Sequence, residues 1–270
     1  FTVYFIENVS HMVFGGATES PGVAIAIFFG GLFGVVVFHI AATMLTRRYP
    51  EQFQRLSTAI LEPVIRRLLG GLYSRQAYRP VDRSPAFRVN GYPPVSAEYT
   101  MLARNQWAEW RLEIVGLVEQ PLRLSLADLR ALPAMRQTTK HNCIQGWSGV
   151  AEWAGVPVAV ILDLCRPRSE AKWIVFHAFE QAEYSPRSYY EALTLAEARQ
   201  PQSILAYDMN GQPLPAQYGA PCRLRIESKL GYKMVKYLRA IEIVDDLRHV
   251  GRAMGGYRED YQYYEKVAAI

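Results

Sequence analysis

The chain has 270 residues, half of them apolar and a fifth charged, enough to bury one substantial core and carry an appendage, which excludes a disordered chain. Its net charge of +5 is unevenly held: residues 1–46 contain Glu7, Glu19 and no Lys or Arg (−2), residues 47–79 contain seven Arg against Glu51 and Glu62 (+5), and the remainder carries +2. The basic balance belongs to one short segment, which excludes a nucleic-acid-binding face as its origin.

Residues 1–21 read as a membrane-proximal segment; because the chain begins at Phe1 and not at Met, processing or an incomplete N-terminus is allowed for. From Val23 to Leu45, VAIAIFFGGLFGVVVFHIAATML runs 23 residues without a charge. As a helix it is about 34 Å long, against about 30 Å of hydrocarbon in a bilayer. The expectation is one transmembrane helix over residues 22–46; a buried core helix and a signal-peptide core are the alternatives, and no basic region precedes the run as a signal peptide requires. Arg47, Arg48 and Arg55 follow it, so the positive-inside rule places the C-terminal side in the cytoplasm of a single-pass bacterial inner-membrane protein, with a periplasmic placement as the alternative. Gly30 and Gly34 form a GxxxG pair that admits a second helix, and His39 inside the run calls for a partner, although the chain offers no obvious second imidazole for haem ligation. Residues 47–85 hold Phe53, Leu56, Ile60, Val64 and Leu68 at helical spacing among arginines, which suits a helix lying on membrane lipid or against a partner protein, followed by an Arg/Pro linker.

The domain expected over residues 86–250 mixes element types. Trp110–Val118, Lys172–Phe179, Ser203–Met209, Cys222–Ser228 and Arg239–Asp246 are short and rich in β-branched or aromatic residues, as strands are. Ser125 with Asp128 caps a short helix, Val156–Cys165 reads as another with Pro157 at its start, and Asn210–Gly211 marks a tight turn. Irregular strand spacing without βαβ repeats indicates an α+β fold. There is no P-loop or GxGxxG. The tyrosine-rich tail 251–270 offers contact surface for a larger membrane complex, or a strap closing its own domain.

Cys143, Cys165 and Cys222 lie far apart, with neither CxxC nor zinc-type spacing. Cys143 follows a polar extended stretch, RQTTKHN, and precedes a glycine-containing turn, IQGWSG. With Lys140 and His141 beside it, it is either a thiolate suited to a soft metal or a small buried side chain.

HNCIQGWSGVAEWAGVPV followed by GAPCRLRIESKLGYKMVKYLRAIEIV resembles the molybdopterin-binding domain of the sulfite oxidase family, in its methionine sulfoxide reductase catalytic-subunit type, from about Phe87 to Asp246. The resemblance implies a molybdenum-molybdopterin cofactor with Cys143 as the metal ligand. It further implies cofactor contacts from Asn90, Arg223 and Lys236 and from the backbone of the loop at Met234 and Val235, with Arg88 a weaker candidate, Lys229 and Lys233 adding to the positive field, and His141 as a neighbouring donor. Cys165 and Cys222 are then core fillers. Three positions depart from the pattern: Gln145 stands where relatives often have a glutamate, and Ala178 and Tyr218 stand where a threonine and an asparagine contact the cofactor. Gln145 can orient but cannot titrate. The implied activity is two-electron oxygen-atom transfer on a small oxide or sulfoxide. With no CxxCH or iron–sulfur spacing in the chain, electrons are expected from a haem-bearing membrane subunit. An accessory subunit retaining the fold without catalysis is the competing expectation.

Overall fold

The computed structural model describes residues 21–48, 60, 76–179, 188–262, 264, 266 and 268, and within the first helix the side chains of 29–44, 47 and 48. The chain divides into two units, Phe1–Ala59 and Ile60–Ile270.

In the first unit, α1 (Pro21–Arg48) is a helix of 28 residues closed by Arg47 and Arg48, whose charges suit the negative end of the helix dipole. Phe33 and Phe38 are 71% and 74% exposed. Among the described residues no helix is long and apolar enough to cross a membrane; side chains of α1 are described continuously over only sixteen positions, 29–44, about 24 Å of helix. The surface helix expected within residues 47–85 falls mostly outside the described residues.

The second unit carries two five-stranded sheets. The first has the order β2-β1-β10-β5-β6, built from β1 (Arg111–Gly116), β2 (Leu122–Ser125), β5 (Trp173–Ala178), β6 (Tyr190–Thr194) and β10 (Leu238–Val244). Only the β1–β10 pair is parallel. The second runs β3 (Met135–Asn142), β4 (Ser148–Pro157), β7 (Ser203–Met209) and β8 (Gln212–Pro213), with β9 (Arg223–Ile226) also paired to β7. β7 is covered on both faces and reads accordingly as a nearly continuous apolar run. Between the sheets lies the main core, including Trp110, Leu112, Ile114, Ile161, Leu162, Phe176, Leu224 and Ile241. Both Cys165 and Cys222 are buried within it.

Short helices close the edges: α2 (Ala97–Arg104), α3 (Leu126–Ala131), α4 (Val158–Cys165), α5 (Leu195–Ala198) and α6 (Tyr257–Gln262). Ser125 and Asp128 cap α3 reciprocally, as their spacing foretold, and Thr194 and Glu197 do the same for α5. Pro157 precedes α4 as its cap and also ends β4. Asn210 (φ 53°) and Gly211 (φ 80°) make the β7–β8 turn.

Residues 76–85, expected as linker, are hydrogen-bonded to this unit. Gln76 exchanges bonds with Gln202 and donates to the Glu227 carbonyl, while its side-chain oxygen accepts from the Lys140 amide. Further along, Tyr78 N–H donates to Thr138 and Ser84 pairs with Val150.

Candidate functional site

β3 and β4 are a hairpin whose register runs from Met135↔Gly155 to Asn142↔Ser148. Cys143 is the first residue of its turn: its N–H donates to Trp147 O (2.9 Å), Gly146 N–H donates back to Cys143 O (3.1 Å), and Gly146 takes φ 82°. The turn fixes the cysteine at the end of a buried strand. Cys143 is 7% exposed, and its Sγ accepts a hydrogen bond from Asn90 Nδ2 at 3.3 Å. Asn90 is in turn held through its carbonyl by Lys236 Nζ at 2.5 Å.

Beside this pair opens a cavity of about 680 Å³ lined by Phe87, Arg88, Asn90, His141, Gln145, Tyr218, Arg223, Met234 and Lys236, among others. Its floor is cationic. Arg223 donates to Tyr218 O (2.8 Å) and Met234 O (3.3 Å), while its buried Nε has no partner. Burial, and then the neighbouring Arg225, pull the Arg223 guanidinium down to about 9. Burial and Arg223 likewise pull Lys236 down to about 7. Among the described residues neither cation has a carboxylate within ion-pair distance. Two desolvated cations and an orphaned N–H are unfavourable alone and suit an anion bearing several acceptor oxygens.

His141 forms the opposite wall. Arg225 Nη1 lies 3.0 Å from its Nδ1, while Arg225 Nε and Nη2 bind Glu227, so Nδ1 is assigned as acceptor and Nε2 as the protonated nitrogen. Burial, followed by Arg225, Arg223 and Lys236, depresses its pKa to about 2, and the ring is neutral at physiological pH. Gly231 packs against it: an added Cβ would lie 2.3 Å from His141 Cε1. Gln145 is exposed at the rim, its Oε1 accepting from Trp147 Nε1 at 3.3 Å. Tyr218 donates its hydroxyl to Phe87 O at 2.6 Å.

The structure thus gathers Asn90, His141, Gln145, Tyr218, Arg223, Met234 and Lys236 around one cavity, with Cys143 in the wall behind Asn90 and not itself lining it. The side chains of Ala178 and Val235 do not line it. Ala178 ends β5 in the core, and Val235 is core with its carbonyl accepting from Leu224 N. Arg88 is exposed at the rim. Lys229 and Lys233 do not add to the field: each buried ammonium is neutralised, Lys229 by Glu197 and Lys233 by Glu191 and Glu259, as burial of a charge requires. Sequence reasoning missed Phe87, whose ring lies 5.7 to 5.9 Å from those of His141, Trp147, Trp153 and Tyr218. It also missed Arg225, which backs the His141 ring, and Tyr189, Tyr232 and Tyr257, which reach the cavity from separate segments without a shared motif.

The donor set fits a pterin that carries its own metal and a phosphate: one thiol for the metal, an amide against that sulfur, and unpaired cations for the phosphate. Among the described residues no group of three or more His, Cys, Asp and Glu is placed to hold a metal by itself.

Comparison with known proteins agrees. The chain is 38% identical over 156 residues to a putative protein-methionine-sulfoxide reductase subunit, YedZ1, of Azospira oryzae, covering 58% of this chain and 55% of that protein. It is 34% identical to the protein-methionine-sulfoxide reductase catalytic subunit MsrP of Gluconobacter oxydans (50% and 47% covered) and 35% identical to that of Xanthomonas campestris pv. campestris (51% and 46%). The chain spans about half the length of these curated relatives. The sulfane dehydrogenase SoxCD of Paracoccus pantotrophus aligns with a TM-score of 0.49 at 25% identity, covering 57% of this chain and 41% of that one. Residues 99–249, more than half of the chain, match the oxidoreductase molybdopterin binding domain, and the chain belongs to that family.

Proposed function

We propose that this chain is the molybdenum-binding part of a membrane-anchored oxidoreductase that transfers one oxygen atom, with two electrons, at a small oxide or sulfoxide. The observation that carries this reading is the buried Cys143 thiol, held by Asn90 beside a cavity whose cations Arg223 and Lys236 lack acid partners among the described residues. Two relatives named as sulfoxide reductase catalytic subunits support a sulfoxide as substrate. When bound, the molybdenum–pterin group supplies a metal that exchanges an oxygen atom and two electrons with substrate.

The chain's own residues position and exclude. Cys143 supplies the sulfur ligand, and Asn90 donates to that sulfur, which fixes its orientation. Arg223 and Lys236 take the phosphate, with Tyr218 and Met234 holding the guanidinium by their carbonyls. His141, neutral with Nδ1 occupied by Arg225, offers its Nε2–H as a donor and is no proton source at neutral pH. Gln145 orients a polar group through its amide. Val235 and Ala178 support this loop from the core.

Electron exchange is assigned to a partner subunit, a haem-bearing membrane protein, since this stretch of chain has no CxxCH or iron–sulfur spacing. Residues 22–46 are assigned as the anchor. The backbone of α1 is about 42 Å long by helical rise, and large apolar side chains such as Phe33 and Phe38 stand exposed on it. Arg47 and Arg48 at the end of α1, with Arg55 beyond it, favour the cytoplasmic side of a bacterial inner membrane for the domain, with the periplasmic side as the alternative; protease accessibility in spheroplasts and inverted vesicles distinguishes the two.

The deciding experiment is metal analysis with Cys143→Ser. Purified protein is expected to hold about one molybdenum per chain by the single-thiol assignment. The serine variant is expected to keep its circular dichroism and lose turnover. Unaltered turnover would remove Cys143 from the site.

A further inference from the structure

One wall of the cavity comes from outside the residues that match the family. Tyr257, Arg258 and Gln262 all lie on α6, after residue 249, and they line the cavity together with Tyr189 and Tyr232. The Tyr189 and Tyr257 rings lie 5.4 Å apart, and Tyr189 donates its hydroxyl to Tyr232 O at 2.7 Å. Arg258 donates to the Gln262 amide oxygen and lies over the face of Tyr264, and among the described residues its charge has no carboxylate partner.

This wall is tied down by a buried knot. Lys233 Nζ reaches Glu191 Oε2 on β6 and Glu259 Oε1 on α6, both at 2.6 Å, and the Gly255 carbonyl at 3.3 Å. All three side chains are closed to solvent. Asp260 adds a second tie, accepting from the Arg252 and Met254 amides and from the Tyr190 hydroxyl. No side chain larger than hydrogen fits at Gly256, where a Cβ would lie 2.0 Å from Glu191 Oε2 and 2.4 Å from Glu259 Oε2. Lys233 stands immediately before Met234 and three residues before Lys236, both lining the cavity. One ammonium therefore joins the loop that carries the cationic floor to the helix that carries the tyrosine–arginine wall. A buried lysine held by two carboxylates is weak evidence for stability, because apolar side chains of similar volume hold a core as well. Its value lies in fixing two surfaces in register.

We propose that residues 251–262 are the substrate-selecting wall of the site, and that Lys233 is the positioning residue that holds this wall against the cofactor loop. The wall's chemistry defines its ligand: tyrosine rings favour an apolar sulfur substituent, and the Arg258 guanidinium, which has no carboxylate partner among the described residues, favours a carboxylate on the same molecule. The proposal rests on the oxygen-transfer reading for the identity of the substrate, but not for the architecture of the wall.

The test uses the full-chain holoenzyme without reductant, titrated calorimetrically with N-acetyl-methionine sulfoxide and with its uncharged N-methylamide. The wild type is expected to bind the carboxylate probe about tenfold more tightly, one charge-assisted contact. Arg258→Gln is expected to equalise the two, and Tyr257→Ala to weaken both; neither residue belongs to the buried knot. For Lys233, the triple variant Lys233→Met/Glu191→Gln/Glu259→Gln removes the ions together and so leaves no unpaired buried charge. In it, amide hydrogen exchange over 251–262 is expected to accelerate at least tenfold while β5 stays protected, and the preference between probes is expected to fall toward one. A wild type without preference, or Arg258→Gln retaining it, overturns the selecting wall. Unchanged exchange over 251–262, or loss of protection throughout the domain, overturns the positioning role. Metal content and turnover are measured on the same samples, so a chain that discriminates the probes but does not turn over counts against the oxygen-transfer reading alone.

Discussion

Lys236, beside Arg223, gives the site a measurable pH signature. Burial, and then Arg225, hold Arg223 below its ordinary range; burial, and then Arg223, hold Lys236 at about 7, and Lys236 is the group that changes charge in the accessible range, since a guanidinium stays protonated. Between about pH 7 and pH 10 the unfolded chain therefore binds more protons than the folded one, and stability without cofactor rises with pH across that window. A bound phosphate favours the charged forms and flattens the rise. Denaturant titrations of loaded and cofactor-stripped protein at pH 7, 8, 9 and 10 check this: a steeper gain is expected for the stripped protein, and equal slopes would remove the phosphate assignment. At this scale the places of Asn90, Arg223 and Lys236 at the cavity, with Cys143 against Asn90, were legible because each sits in a motif with a chemical reason for its type; their hold on a cofactor belongs to the proposal. The expectation for Val235 concerned its backbone, and its side chain, like that of Ala178, does not line the cavity. Adjacency along the chain does not say which way a side chain faces, and these two face the core.

The hairpin of β3 and β4 is the element that presents Cys143, and half of it was hidden in the sequence. RQTTKHN reads correctly as extended, but the glycines of β4 suggest turns where a ten-residue strand runs. Gly155 marks a close approach, since a Cβ there would lie 2.0 Å from Leu205 O on β7, at the point where the register shifts. The strands read from β-branched and aromatic runs fall within a residue or two of β1, β5, β7, β9 and β10. The short or polar ones, β2, β6 and β8, are set by pairing partners and carry little local signal. A packing test belongs to the turn facing this hairpin. Gly231→Ala puts a methyl group within 2.3 Å of the His141 ring, and the ring is backed by Arg225. Overpacking of this kind costs about 1–3 kcal/mol. The expected outcome is a lower melting temperature with reduced molybdenum content, read by calorimetry and metal analysis. Unchanged values would mean that this wall is looser than its contacts indicate.

For the whole molecule, the boundary of the folded unit is where sequence and structure part most. Composition places the start of the domain near residue 86, because RQAYRPVDRSP looks like linker. Its polarity has a structural use: Gln76 meets Gln202, Lys140 and Glu227, Tyr78 joins the β3 backbone, and Ser84 is clasped by Val150 on β4. Side-chain amides satisfying backbone groups leave no hydrophobic pattern to read. Two truncations separate the boundaries. Removal of residues 1–75 leaves every one of these bonds, whereas removal of 1–85 leaves Gln202 and the Val150 and Lys140 amides without their partners. Each lost bond is worth about 0.5–1.5 kcal/mol net, offset in part by the freedom of the deleted segment. The shorter protein is expected to melt several degrees lower and to lose cofactor faster, since β3 and β4 carry His141 and the turn at Cys143. Thermal melts of the two fragments, with molybdenum retention followed over time, decide it: identical behaviour would return residues 76–85 to the role of linker.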